Sequence, residues 1–205
     1  MPVFTIGHST RTLEELVAQL EAHGVVRLAD IRTVPRSRRH PQFGIDVLAR
    51  ALPEAGIAYR HFPRLGGLRR PRPDSTNAAW RHPGFCGYAD YMQTPAFDRA
   101  LGELLAFAGE PAGSAASRSR NAGGDAEGTR GMGPAAAGRP GHAVVMCAEA
   151  LWWRCHRRLV ADALAARGVE VRHIVSRTVA EPHRFTEFGR VRDGRVSYPG
   201  IFDAP

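Results

Sequence analysis

The sequence predicts an α/β fold: a mainly parallel β-sheet of about five strands flanked by helices, in a single domain. Three observations carry that expectation. Five short runs rich in aliphatic and β-branched residues alternate with segments of helical periodicity. Alternation at this spacing is met by right-handed βαβ units whose helices cover both faces of one sheet. A length of 205 residues suits one domain with a sizeable core.

The first strand is VFTI, residues 3–6, leading into Gly7 and His8. A helix then starts at Thr12, with Glu15 three residues on as a capping box. Leu13, Leu16, Val17 and Leu20 share one face, and Gly24 stops the helix. VVRLADIR, residues 25–32, reads as the second strand and is followed by a loop rich in proline and arginine. IDVLARALPEAG gives a short helix ended by Pro53 and Gly56, and IAYRHF, residues 57–62, gives the third strand. A long loop, PRLGGLRRPRPDSTNAAWRHPGFCG, comes next. Thr94 before Pro95 is an N-cap with proline in the first turn, and Phe97, Leu101, Leu104 and Leu105 continue that helix's apolar face. HAVVMC, residues 142–147, is the fourth strand. Leu159, Val160, Ala163 and Leu164 mark the helix running to Gly168, and EVRHIV, residues 170–175, is the fifth strand. From Arg177 onward periodicity fades, with a small hairpin expected about Asp193-Gly194.

Residues 110–141 divide the domain into 1–109 and 142–205. Their Gly, Ala, Ser, Pro and Arg content includes almost no large apolar side chain, so they read as a flexible low-complexity insertion that cannot offset its own ordering entropy.

Composition narrows the function classes. The chain opens without a basic segment followed by an apolar run, and no stretch is long and apolar enough to cross a bilayer, so cytosol is the default compartment. The three cysteines, Cys86, Cys147 and Cys155, form neither a secreted disulfide framework nor the paired C-x-x-C of a structural zinc site. A mixed Cys/His metal site is the minority reading, so no metal ligand is assigned and the cofactor is unknown. The formal charge is +8, and all 28 basic residues are arginine. Arg, Ala, Gly and Pro rise together in GC-rich coding sequence, so only local clustering of arginine points to an acidic partner.

Ligands of open parallel sheets bind beyond the carboxyl ends of the strands. By that rule His8 and Ser9 leave the first strand, and Asp30 and Arg32 the second, with Pro35, Ser37 and Arg38 just beyond. Arg64, Gly66 and Gly67 follow the third strand, and Cys147 and Glu149 the fourth. His156 and Arg157, in the first turns of the next helix, are placed to hold a phosphate or carboxylate. Asp30 and Glu149 are the candidate acid/base carboxylates, or partners of neighbouring arginines; His8 is a general acid/base or a cap. Cys147 is a small buried residue finishing a strand, or a thiolate favoured by backbone N–H groups and arginines. A phosphatase-type loop does not fit, because six residues separate Cys147 from Arg154 and none is glycine. Cys155 and His156, read as helix neighbours, point in different directions and make a poor dyad. Tyr59, Phe62 and Trp80 are near the basic loops and available to stack on bases.

TIGHST, DIRTVPRSRRHPQF, GIAYRHFPRLGGLR and VVMCAEALWWRCHRRLVADAL resemble, in this order, the motifs of the domain-of-unknown-function 488 family. The resemblance covers about residues 3–175 apart from the insertion. It implies a compact α/β domain and marks Gly7, His8, Ser9, Asp30, Arg32, Pro35, Ser37, Gly66, Gly67, Cys147, Glu149, Cys155, His156 and Arg157 as shared features. It supplies no reaction.

The resulting expectation is an enzyme acting on a phosphate-bearing substrate, a nucleotide or nucleic acid, by hydrolysis or bond cleavage. His8, Asp30 and Glu149 would handle protons or water. Ser9, Arg32, Ser37, Arg38, Gly66, Gly67, His156 and Arg157 would bind the substrate, with Cys147 structural or redox-sensitive. The competing readings are a non-catalytic nucleic-acid-binding or regulatory module, and a thiol-dependent, sulfurtransferase-like enzyme at Cys147.

Overall fold

The computed structural model describes residues 1–36, 39–110 and 141–200. The expected insertion therefore lies, except for its two end residues, outside the described residues.

Chain order is β1 (Val3–Gly7), α1 (Leu13–Ala22), β2 (Val25–Asp30), α2 (Ile45–Glu54), β3 (Ala58–His61), α3 (Pro83–Met92) and α4 (Pro95–Gly109). Then come β4 (His142–Cys147), α5 (Arg157–Ala165), β5 (Val171–Ile174), β6 (Ala180–Pro182), β7 (Arg190–Arg192) and β8 (Arg195–Ser197). Six strands form one sheet in the order β3-β2-β4-β1-β5-β6, parallel except for β6, and β7 pairs with β8 separately.

Side-chain alternation splits the core into two layers, as the two-residue period of a strand requires. Phe4 and Ile6 of β1 and Val144 and Met146 of β4 join Leu16 and Leu20 of α1 and Leu48 and Leu52 of α2. Val145 and Cys147 point the other way, into the layer built by Tyr88 of α3, Leu101 and Leu104 of α4, and Leu159 and Val160 of α5. The crossovers that carry the chain from β1 towards β3 use one face. Those that return it from β3 through β4 to β5 use the other, as right-handed connections demand when the direction of travel reverses.

Local signals behave as their chemistry dictates. Thr12 and Glu15 form the full capping box, and Thr94 caps α4 through the Phe97 N–H. Asp193 and Gly194 turn the β7–β8 hairpin with φ of 51° and 71°, the pair of positive values a two-residue primed turn needs.

Two elements escape the sequence pattern. Helix α3 starts inside the expected long loop and runs past its end at Gly87: its PGFCGYADYM carries two interior glycines, which weaken both propensity and stripe, yet His82 caps it through the Gly84 N–H. Strand β6 is three residues long, too short for alternation to register.

Candidate functional site

From the adjacent strands β1 and β4 the chain departs in opposite directions, through α1 on one face and α5 on the other. Such a switch point opens a crevice at the strands' carboxyl ends. Gly7 and Cys147 are paired in register there, and the ladder runs on past them: His8 N donates to Cys147 O at 3.0 Å, and Ser9 N to Ala148 O at 2.9 Å. A cleft of about 880 Å³ opens above, with Ser9, Gly67, Cys147, Glu149, Cys155 and His156 in its lining. Ser9 and Leu68, both on this rim, hold φ of 53° and 59°, a left-handed backbone that non-glycine residues adopt at a cost of about 1–3 kcal/mol. Leu68 is 87% exposed.

Close approach explains the glycines. A Cβ on Gly7 would sit 1.9 Å from the Glu149 carbonyl oxygen and 2.8 Å from Arg157 Nη1. One on Gly66 would sit 2.5 Å from Thr33 Oγ1, and one on Gly67 3.0 Å from His156 Nδ1. The missing side chains make room for the protein's own atoms.

Two cysteines and a histidine meet on the cleft floor. His156 Nδ1 lies 3.6 Å from Cys155 Sγ and 4.0 Å from Cys147 Sγ, and the three donor atoms all fall within 4.8 Å of one another. The helix-neighbour argument against Cys155 and His156 fails because α5 begins only at Arg157. Cys155 is extended, with φ −121° and ψ 147°, which turns its sulfur towards the ring that follows. A hydrogen bond from Cys155, opposed by burial but joined by His156 and Arg157, holds the Cys147 thiol well below its ordinary range. Cys155 is pushed up by giving that hydrogen bond and by burial. Of the two sulfurs, Cys147 is the one whose thiolate the surroundings favour.

Arg157 is the buried cation behind them, 1% exposed. Its Nη2 donates to the Glu149 and Ala150 carbonyls at 2.9 and 3.1 Å, while Nε and Nη1 find no hydrogen-bond partner among the described residues. Burial works against the Arg157 charge, and the neighbouring Cys155, Cys147 and Glu149 groups work for it.

A second polar group lies beneath this floor. Asp30, fully buried, accepts from Arg32 N at 3.1 Å, Arg32 Nε at 2.9 Å, Arg32 Nη2 at 2.5 Å and Tyr59 OH at 2.9 Å. Burial, then the Asp30 charge, drives the Tyr59 phenol pKa up, so Tyr59 stays a donor. Arg32 Nη1 reaches His8 Nε2 at 3.3 Å, and His8 Nδ1 lies 2.9 Å from Ser9 O. Those partners fit the tautomer that donates from Nδ1 and accepts at Nε2. Burial, reinforced by Arg32 and opposed by the Ser9 carbonyl, lowers the His8 pKa to about 4.

The structure thus divides the expected site residues. Ser9, Gly67, Cys147, Glu149 and His156 share the cleft, whereas His8, Asp30 and Arg32 form a saturated network below it. Glu149 is exposed, its Oε1 accepting from Leu151 N at 3.2 Å. Both Arg32 and Arg157 are engaged with protein acceptors. Ser37 and Arg38 lie outside the described residues. Of the aromatics offered for stacking, Tyr59 serves Asp30, Phe62 is buried against Phe107, and Trp80 packs on Phe85, Phe188 and Tyr198. Sequence reading missed the partnership of Cys155 with Cys147; the signal available was two cysteines bracketing a strand end and a helix start.

The family model described as Domain of unknown function DUF488 matches residues 12–113 and 127–164. Three of the four motifs fall inside that span, and TIGHST precedes it. No curated protein and no solved structure matches the chain. With more than half of its length matched, and with the α/β architecture that its motifs lead one to expect, this chain belongs to the domain-of-unknown-function 488 family.

Proposed function

We propose that this protein is a thiol-dependent enzyme whose nucleophile is Cys147. The observation that carries the reading is the position of that sulfur: at a strand end, at the switch point, on the floor of an open cleft, with Cys155, His156 and buried Arg157 favouring its thiolate. In the sulfurtransferase-like form, the thiolate attacks the outer sulfur of a sulfane donor. A Cys147–sulfur bond forms, the donor's sulfur–sulfur bond breaks, and the remainder leaves as an anion with the bonding pair. An acceptor thiolate then takes the outer sulfur from the Cys147 persulfide and restores the Cys147 thiolate. Asp30, Arg32 and His8 act in this reading as positioning residues that hold the ends of β1 and β2, since their hydrogen-bonding capacity is used internally.

The test is limited alkylation read by mass spectrometry and, on separate unalkylated protein, incubation with thiosulfate or an organic persulfide. Cys147 should react well before Cys86, at a rate that stays high below the ordinary thiol pKa, and should gain the mass of one sulfur atom. A Cys147 no faster than a free thiol and carrying no added sulfur would overturn the proposal.

A phosphate-bearing ligand is the second reading, favoured by exposed Arg154 on the cleft wall, the one arginine lining the cleft among the described residues. It predicts nucleotide or oligonucleotide retention that falls steeply with salt and is lost in Arg154→Ala. The thiol reading predicts no such retention.

A further inference from the structure

The same three donors have a second competence that nucleophilic chemistry does not require. Tetrahedral zinc holds sulfur at about 2.3 Å and imidazole nitrogen at about 2.0–2.1 Å, which sets ligand atoms about 3.6 Å apart for a sulfur–nitrogen pair. The Cys155 Sγ–His156 Nδ1 separation is 3.6 Å and the Cys147 Sγ–His156 Nδ1 separation 4.0 Å. All three atoms already lie within 4.8 Å of one another, so closing them on an ion asks for a few tenths of an ångström at the wider sulfur–nitrogen pair and at most about 1 Å between the sulfurs. We infer that Cys147 Sγ, Cys155 Sγ and His156 Nδ1 form a three-donor site for a thiophilic cation, Zn²⁺ or a d¹⁰ ion of similar softness.

The donor set selects the class of ion. Two thiolates and an imidazole favour zinc and copper(I) over magnesium or calcium, which demand oxygen. Three protein ligands rather than four leave one position vacant, and because all three residues line the cleft that position opens to whatever occupies it. The ligands come from the two ends of the β4–α5 connection, Cys147 from the end of β4 and Cys155–His156 from the entry to α5. An ion would therefore tie the cleft floor together. Both sulfurs coordinate as thiolates, so binding displaces whatever thiol proton they carry. Metal and electrophile would compete for the same Cys147 sulfur.

The experiment uses the full chain, reduced, freed of metal with a chelator, and titrated with Co²⁺ as a spectroscopic probe. The native protein should develop a thiolate-to-cobalt charge-transfer band and intense tetrahedral visible bands that saturate at one ion per chain. One equivalent of Zn²⁺ should abolish them and slow Cys147 alkylation. Cys155→Ser and His156→Ala should each weaken binding at least about 10-fold, while Cys86→Ser leaves it unchanged. His156→Ala carries the test if Cys155→Ser does not fold, because the half-buried ring is the milder deletion. Absence of the charge-transfer band, or native affinity in a folded His156→Ala, would overturn the inference. A metal-free protein with no cobalt site but rapid Cys147 alkylation leaves the nucleophile reading standing and this one refuted. A stoichiometric site with slow alkylation of the metal-free protein does the reverse.

Discussion

Asp30→Asn separates a structural carboxylate from a proton carrier. The carboxylate accepts four hydrogen bonds, three from Arg32 and one from Tyr59. An asparagine offers one oxygen. If its amide takes the place of Oδ1, two donors of Arg32 face a donor; if it takes the place of Oδ2, Arg32 Nη2 does. In either orientation the substitution removes the charge that compensates a guanidinium only 7% exposed. Breaking one side of a buried ion pair costs about 3–5 kcal/mol, because the partner's desolvation is then unrepaid. For a domain of this size that lowers Tm by about 10 °C or more. Urea denaturation followed by tryptophan fluorescence, with a calorimetric scan in parallel, measures both. Loss of less than about 1 kcal/mol would refute the reasoning and return Asp30 to the candidates for acid/base chemistry.

Two further outcomes follow from the same geometry. Gly7→Ala drives a Cβ to 1.9 Å from the Glu149 carbonyl oxygen, so β1 and the Cys147–Glu149 turn must part by at least about 1 Å. We expect a loss of about 3 kcal/mol or more with slowed Cys147 alkylation, and a native denaturation midpoint would contradict the close approach. His8 and His173 are held neutral mainly by burial, with pKa values lowered to about 4 and about 3 from 6.5. The unfolded chain takes up these protons first. Stability is therefore fully present above pH 6.5 and lost as pH falls towards 4, each histidine contributing a slope of up to about 1.4 kcal/mol per pH unit. Urea midpoints between pH 7.5 and 5 should show that decline, and His8→Asn should flatten it by about one proton's worth; an unchanged slope would refute the assignment.

The elements legible in the sequence were those with a repeating or local cause. The apolar run in HAVVMC, the Thr12–Glu15 box and the Asp193-Gly194 turn each act within a few residues, and each appears as read. Helix α3 was illegible because what stabilises it is remote: Tyr88 OH reaches Leu65 O, and Asp90 accepts from Ser75, Asn77 and the Arg72 N–H. The rim was legible as a set of loops, since every strand of a parallel sheet delivers its loop to the same edge. Which loop residues face the cleft was not.

The amino-acid sequence by itself determined the α/β class, the strand ends that meet, and the list of polar groups brought to one edge, because hydrophobic period and turn chemistry are local properties. Tertiary structure alone decided how those groups are spent. Asp30 and Arg32 saturate each other beneath the floor, Arg157 is buried behind the turn, and Cys155 swings to face Cys147. The physical reason is that pairing and burial depend on how the chain turns in space: Asp30 and Arg32 are two residues apart and Arg157 bonds a carbonyl eight residues back, and neither separation along the chain says which side chains face each other and which are buried.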